Sequence, residues 1–174
     1  MIFRHATIND ISVLTSLLNR SYRGESSRAG WTSEADLLSG KRIDEAGLIQ
    51  LFNNPDSLIL IAQTNEGITA TIHAHRELDT VHFGLFAVEP TLQGNGIGKA
   101  LLAYAESEVY NQWKITTAIM EVITQRTELI EYYGRRGYER TGEVISFPKS
   151  DLWDSQVDSL KLAILSKKLI PSCS

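Results

Sequence analysis

Hydrophobic positions in the first half of the chain change their spacing at Asn54-Pro55, and this change separates predicted helices from predicted strands. Before it, a short strand is predicted at Ile2–His5, and apolar residues recur at helical spacing over 11–18 and 43–53. After it, three apolar runs are joined only by short polar turns, at residues 57–63, 69–77 and 80–89. Consecutive strands with tight turns predict an antiparallel meander.

The second half of the chain alternates helical and strand-like patterns. They predict a helix from Gly96 to about Tyr110, a strand at 116–123, a helix at 127–137, and strands at 138–147 and 159–166. Residues 81–122 then form a strand–helix–strand crossover, which makes neighbouring strands parallel. The predicted fold class is α+β with a mixed, mostly antiparallel sheet. Because the 174 residues contain no evident linker or repeat, we expect one domain over 1–174.

Composition narrows the functional classes. The chain is 43% hydrophobic and 22% charged, with a net charge of −4, so it lacks the basic character typical of nucleic-acid binding. No apolar run approaches the ~18 residues of a membrane span, and the first ten residues lack a signal-peptide pattern. The single cysteine, Cys173, has no disulfide partner in the chain. We therefore expect a cytoplasmic protein that binds neither nucleic acid nor membrane.

The stretch FAVEPTLQGNGIGKALLAYAE, residues 86–106, contains three glycines immediately before a predicted helix. Backbone N–H groups in such a turn form a concave site for an anion, and the helix N-terminus adds its dipole. The pattern therefore favours a phosphate site at Gly94, Gly96 and Gly98. The alternative is a glycine turn that only closes a loop.

Two nucleotide motifs fail at specific positions of this turn. A dinucleotide fingerprint starting at Gly94 needs a glycine where Lys99 stands. A phosphate-binding loop of the Walker A type needs a glycine at Gln93 and a serine or threonine at Ala100. A nucleotide-dependent enzyme is therefore disfavoured.

The turn does match Q-x-x-G-x-G, from Gln93 to Gly98, after a strand that ends near Val88. It resembles the acyl-CoA-binding motif of the GCN5-related N-acetyltransferase (GNAT) superfamily. Downstream, residues 132–138 (YYGRRGY) resemble the family's Y-x-x-x-G-[FY] ending, and residues 30–44 resemble a stretch of one bacterial subgroup. The resemblance extends over nearly the whole chain. It implies three α/β/α layers, a sheet with a splayed central gap, and acetyl-CoA as co-substrate without a metal.

The resemblance also implies roles for individual residues. Tyr133 matches the tyrosine that acts as general acid for the departing CoA thiolate; alternatively, its ring only packs against the sheet. Apart from the resemblance, Lys99, Arg135 and Arg136 are candidates to meet the phosphates of the cofactor; the alternative is ordinary charged residues on a helix surface. The pantetheine arm is assigned to Phe86, Ala87 and Val88, and the pyrophosphate to Gln93, Gly94, Asn95, Gly96, Ile97, Gly98 and Lys99.

The acceptor amine must lose a proton, because an amine of pKa ~10 is mostly protonated at neutral pH. Glu121 is the first candidate base, since it lies in an otherwise apolar strand where burial would raise its pKa. The alternative is a strand carboxylate that points to solvent or pairs with an arginine. His73, His75 and His82 are weaker candidates. His73 and His75 share a strand face at a spacing compatible with metal, but without an evident third ligand the favoured interpretation is that they are ordinary strand residues.

The implied activity is transfer of an acetyl group from acetyl-CoA to a primary amine of a small molecule or peptide, by direct attack. A non-catalytic CoA-binding module is the alternative, and a homodimer is among the expected assemblies. Two positions depart from the family pattern: Arg126 replaces a frequent asparagine, and Leu129 a frequent small residue. The acceptor pocket is expected near residues 22–34 and 146–158, with Trp31 and Trp153 as candidate lining residues.

Overall fold

A computed structural model describes residues 1–22, 42–148 and 160–170, together with the backbone of 38–40 and 153–155. Several expectations lie outside these residues: the first part of the 30–44 segment, Trp31, the side chain of Trp153, and Cys173. Within the described part of the chain, no helix combines the length and the apolar character needed to cross a membrane.

The described residues form four α-helices and nine β-strands in an order close to the predicted one. The elements are β1 (Ile2–His5), α1 (Ile11–Tyr22), β2 (Leu38–Gly40), α2 (Glu45–Asn53), β3 (Ser57–Thr64), β4 (Gly67–Glu77), β5 (Thr80–Val88), α3 (Ile97–Trp113), β6 (Thr117–Ile123), α4 (Thr127–Gly134), β7 (Glu139–Ser146), β8 (Trp153–Ser155) and β9 (Lys161–Lys168).

Seven strands form one sheet in the order β1-β3-β4-β5-β6-β9-β7. Every neighbouring pair is antiparallel except β5 and β6, which are parallel and joined through α3. This confirms the predicted meander and the single crossover. The short pair β2–β8 forms a separate antiparallel sheet, which the sequence patterns did not predict.

The sheet opens between β5 and β6. Their pairing covers residues 80–83 of β5 and 117–120 of β6, and both strands continue beyond it. On its other side, β5 carries a β-bulge, because two of its residues face one residue of β4 between the pairs His73–Gly84 and Thr71–Ala87. Leu85 in this bulge has a left-handed φ of 45°, a conformation that costs a non-glycine residue free energy. The predicted splayed gap is thus confirmed, and a bulge marks its start.

Helices cover both faces of the sheet, as the three-layer prediction requires. On one face, α3 and α4 pack against alternate sheet residues such as Leu60, Ile72 and Phe83. On the other face, α1 and α2 pack against the residues between them, including Ile59 and Ile61. Strand residues alternate between faces, so β5 carries side chains into both cores.

Two predicted helix ends are inaccurate, and in both cases the chain direction changes at a left-handed residue. Helix α3 extends to Trp113 and ends where Lys114 adopts a φ of 56°. Helix α4 stops at Gly134, three residues before the predicted end, and a turn follows up to Gly137. Gly137 has a φ of 95°, a conformation that glycine adopts without steric cost.

We predict that Gly137→Ala destabilises the protein by about 1–2 kcal/mol, because a Cβ is unfavourable at positive φ. The new Cβ would also lie 3.2 Å from Cε of Lys167. Gly134→Ala is the matched control. A Cβ there meets nothing within 4 Å, and alanine stabilises a helix by up to about 1 kcal/mol relative to glycine. Urea unfolding of both variants measures the difference, and equal effects would contradict the conformational argument.

Candidate functional site

Two cavities lie along β5. The larger is a cleft of about 500 Å³ where β5 and β6 separate, and the smaller is a groove of about 230 Å³ at the N-terminus of α3. The cleft is lined by residues that include Tyr22, Arg42, His73, His75, Glu77, His82, Phe86, Glu121, Arg126 and Tyr133. The groove is lined by Val88, Leu92, Gln93, Gly94, Gly96, Ile97, Gly98, Lys99, Tyr132 and Arg136.

The glycine turn surrounds the groove. Gly94 and Gly96 have φ angles of 87° and 79°, and Gly96 caps the N-terminus of α3 without a side chain. A Cβ at either position would meet nothing within 4 Å, so backbone conformation rather than lack of space favours glycine here. The first N–H groups of α3 have no partners within the helix, and the dipole of this 17-residue helix favours an anion there.

Gly98 is constrained differently, by close packing. A Cβ on Gly98 would lie 2.9 Å from the hydroxyl oxygen of Tyr132 and 3.3 Å from Cγ2 of Val88. The glycine therefore lets α3 approach both β5 and α4. This contact joins the two segments that resemble the GNAT motifs, which are more than thirty residues apart in the sequence.

Two cationic side chains line the groove. Lys99 is exposed on α3, and the Arg136 guanidinium lies over the Tyr132 ring, 3.5 Å from its centroid. Arg136 also donates from Nη1 to the Tyr132 carbonyl oxygen over 2.8 Å, while its buried Nε has no hydrogen-bond partner among the described residues. A buried unpaired donor is costly, and an anion in the groove would reduce that cost. Arg135 is not among the groove-lining residues.

The backbone of β5 connects the two cavities. Phe86 lines the cleft and Val88 the groove, whereas Ala87 packs on the α1–α2 side of the sheet. The carbonyl oxygen of Phe86 accepts a hydrogen bond from the Tyr22 hydroxyl over 2.8 Å, and that of Val88 accepts from Gln93 Nε2 over 3.1 Å. Sequence patterns did not identify Tyr22, because its contact spans 64 residues of sequence.

Of the ten residues assigned to the pantetheine arm and the pyrophosphate, two line neither of these cavities. Ala87 is fully buried in the second core, and the Asn95 side chain donates to the Leu92 carbonyl oxygen over 3.0 Å. Asn95 therefore helps to fold the turn. The other eight lie along the cleft or the groove.

Tyr133 lines the cleft and is also packed among aromatic rings. It is 5% exposed, and its ring centroid lies 6.2 Å from that of Phe86 and 6.0 Å from that of Tyr138. Burial raises the pKa of Tyr133 well above its usual 10, with smaller contributions from Tyr22 and Tyr132. The hydroxyl therefore keeps its proton at neutral pH, as a proton donor must. Packing and a chemical role are compatible at this position.

Glu121 is in the cleft, but its environment differs from the expected one. Its side chain is 41% exposed, and its Oε1 lies 3.5 Å from Nδ1 of His82. Interaction with the His82 ring lowers the pKa of Glu121, against a smaller opposing effect of burial. The expectation of a raised pKa for Glu121 was wrong, because the interaction with His82 outweighs the effect of burial.

The histidines occupy the same region of the sheet. His73 Nε2 lies 3.0 Å from Ser57 Oγ, and burial, with the nearby His75 and Arg42, lowers the pKa of His73 to about 4. His75 lies directly opposite His82 in the β4–β5 ladder. Among the residues that the structure describes, no three His, Cys, Asp or Glu side chains are arranged to hold a metal ion.

Arg126 occupies the position where the family often has asparagine. It precedes the first turn of α4, is only 7% exposed, and its Nε donates to Glu128 Oε1 over 2.7 Å. Its positive charge acts to lower the pKa of the neighbouring Tyr133, although burial dominates there. The substitution thus brings a cation to the cleft in place of a neutral amide.

Comparison with known structures identifies the fold. The chain resembles the ribosomal-protein-S18-alanine N-acetyltransferase of Escherichia coli, with a TM-score of 0.72 at 15% identity over 99% of this chain and 96% of that one. Spermidine N-acetyltransferase of Vibrio cholerae, in complex with CoA and spermine, gives 0.69 at 11% over 97% and 95%. A phosphinothricin acetyltransferase of Sinorhizobium meliloti, in complex with AcCoA, gives 0.70 at 17% over 97% and 88%.

At these identities the structural likeness establishes the fold alone. A search of curated proteins finds no significant match. The sequence itself matches the family model of the acetyltransferase (GNAT) domain over residues 32–152, which is more than half of the chain. The chain therefore belongs to the GNAT family of acetyltransferases.

Proposed function

We propose that this protein transfers an acetyl group from acetyl-CoA to a primary amine of a small molecule or peptide, by direct attack and without a covalent enzyme intermediate. The observation that carries the proposal is that β5 borders both cavities, with Phe86 in the cleft and Val88 in the groove. An extended pantetheine arm on this strand would connect a pyrophosphate in the groove with a thioester in the cleft.

The groove has the chemistry that a pyrophosphate requires. The backbone of the glycine turn and the N-terminus of α3 supply N–H donors, and Lys99 and Arg136 supply positive charge. The unpaired buried Nε of Arg136 is consistent with an anion nearby. Cofactor complexes of two structural neighbours, one with CoA and one with AcCoA, support the same assignment.

The strand edge supports the placement of the acyl end. The β5–β6 ladder ends at Phe83 and Met120, so β5 faces the gap rather than β6 beyond this point, and the bulge in the β4–β5 ladder changes the direction of its backbone groups there. A backbone N–H there would stabilise the oxyanion of the tetrahedral intermediate. We assign the arm to Phe86, Ala87 and Val88. The carbonyl oxygens of Phe86 and Val88 now accept hydrogen bonds from Tyr22 and Gln93, and on binding these bonds would be replaced by bonds from the arm or shared with it.

Two cleft residues receive chemical roles in the transfer. The attacking nitrogen forms a bond to the acetyl carbon, the carbon–sulfur bond breaks, and the Tyr133 hydroxyl gives its proton to the departing thiolate. Glu121, exposed to the cleft, receives the proton that the amine loses. The position of Tyr133 in the cleft supports its role, and its hydroxyl is protonated at neutral pH.

Partner and location follow the same proposal. The neighbours named above act on a ribosomal protein, spermidine or phosphinothricin, which supports an amine acceptor without selecting one. The chain contains a single cysteine, which suits a cytoplasmic protein.

We predict that Gly96→Glu weakens acetyl-CoA binding about tenfold or more, because the variant puts a negative charge into the glycine turn and a side chain at a position of positive φ. Gly142→Glu is the matched control, since Gly142 also has a positive φ, of 88°, and open space at its Cβ, but lies on β7. Isothermal titration measures both dissociation constants. Equal affinity of the two variants would contradict the role of the glycine turn.

We predict that Tyr133→Phe lowers kcat about 100-fold with little change in acetyl-CoA affinity, as expected for loss of a general acid. Tyr132→Phe serves as the neighbouring control, because Tyr132 lines the groove and its loss should affect binding more than turnover. Thiol release during turnover gives kcat, and calorimetry gives affinity. Parallel losses in kcat and affinity for Tyr133→Phe would indicate packing alone.

A further inference from the structure

Three titratable side chains form a row across the cleft. His82 on β5 lies between Glu77 of β4 and Glu121 of β6. Its Nε2 is 3.4 Å from Glu77 Oε2, and its Nδ1 is 3.5 Å from Glu121 Oε1. Each ring nitrogen therefore faces one carboxylate, and all three side chains line the cleft.

This row lies where the gap in the sheet begins. His82 pairs with Ile119 near the end of the β5–β6 ladder, and Glu121 is the first residue of β6 beyond that ladder. The exposed fraction of the side chain rises from 29% for His82 to 41% for Glu121 and 64% for Glu77. The histidine is thus the most sheltered member, with a more exposed carboxylate on either side.

The surroundings of His82 favour a charged ring. Glu121 faces it from β6, Glu77 and His75 face it from β4, and Thr80 Oγ1 lies 3.5 Å from its Nε2. The hydrogen bond with Glu121, followed by the charges of Glu121 and Glu77, raises the pKa of His82 above 6.5, although burial opposes this. The same contact lowers the pKa of Glu121.

The opposite pKa shifts of His82 and Glu121 favour the proton on His82 rather than on Glu121. Glu121 is exposed to the cleft and can meet the amine, but it holds a proton poorly at neutral pH. His82 holds a proton better, and both of its nitrogens face carboxylates. His73 is a poor alternative, because its pKa of about 4 keeps it neutral beside Ser57.

We propose that Glu121 and His82 act together as the base of the transfer, with the amine proton passing through Glu121 to His82, and Glu77 positioning the ring and returning the proton to solvent. This inference rests on the proposed function. A protonated acceptor first releases one proton to solvent. The neutral nitrogen then forms the new bond to the acetyl carbon and gives a second proton to the pair, while the carbon–sulfur bond breaks and Tyr133 protonates the thiolate. Tyr133 then regains a proton from solvent, so atoms and charges balance over the cycle.

The first experiment measures the pair without turnover. NMR titration of the four histidine rings, with His82 assigned by its absence in His82→Gln, should give a His82 pKa above 6.5. Glu121→Gln should lower this pKa, because the ring loses its nearest stabilising charge, and Glu77→Gln should lower it less. A His82 pKa unaffected by Glu121→Gln would overturn the coupling.

The second experiment connects the pair to catalysis. The base must be neutral at His82 to accept a proton, so kcat at saturating amine should rise with pH through the His82 pKa. Glu121→Gln should lower kcat about 100-fold, because the relay loses its first acceptor, and should shift the remaining rise of kcat to lower pH. His82→Gln should also lower kcat about 100-fold at the optimum, and should remove the rise of kcat with pH. His5→Gln is the matched control, because His5 pairs with Glu108 over 2.6 Å and lies outside both cavities. This variant should leave kcat and its dependence on pH unchanged.

The outcomes separate this inference from the proposed function. Turnover in which kcat rises with pH through the pKa of His82 supports both. A uniform loss of rate at every pH in His82→Gln would show a structural role, overturning the inference while leaving the acetyltransferase activity intact. Absence of turnover with acetyl-CoA across a panel of amines, measured as thiol release, would overturn both.

Discussion

The larger cavity of this molecule exists because β5 and β6 separate partway along the sheet. Buried backbone N–H and C=O groups require partners, and two strands that part in the middle of a sheet leave such groups along both edges. Part of this requirement is met by side chains, since Tyr22 and Gln93 donate to carbonyl oxygens of β5. The bulge at Leu85 lies at the same place, so the strand is already shaped to accept another extended chain there.

Close packing at Gly98 connects this opening to the phosphate groove. Because Gly98 has no Cβ, Tyr132 of α4 can lie against the first turn of α3, and Arg136 stacks on the same ring. Tyr133, the next residue, then faces the cleft. One helix contact therefore sets the relative position of the two cavities, and a change at Gly98 would disturb both.

The cleft places two kinds of proton chemistry a short distance apart along the sheet. Burial among aromatic rings holds Tyr133 in its protonated form, whereas exposure and a basic neighbour keep Glu121 ionised. Environments that push pKa values in opposite directions are typical of acid and base partners in one site. His82 extends the basic side into the sheet, where the residues of three adjacent strands meet.

Sequence patterns alone predicted the meander, the crossover and the glycine turn, but not β2 and β8, because spacing and backbone preference are local properties of the chain. The sequence also carried the motifs that mark the family. Only the tertiary structure decided which side chains meet: Tyr22 with Phe86, and His82 with Glu121. It also reversed the expected pKa shift of Glu121, since burial and charge at a strand residue depend on neighbours that are distant in sequence.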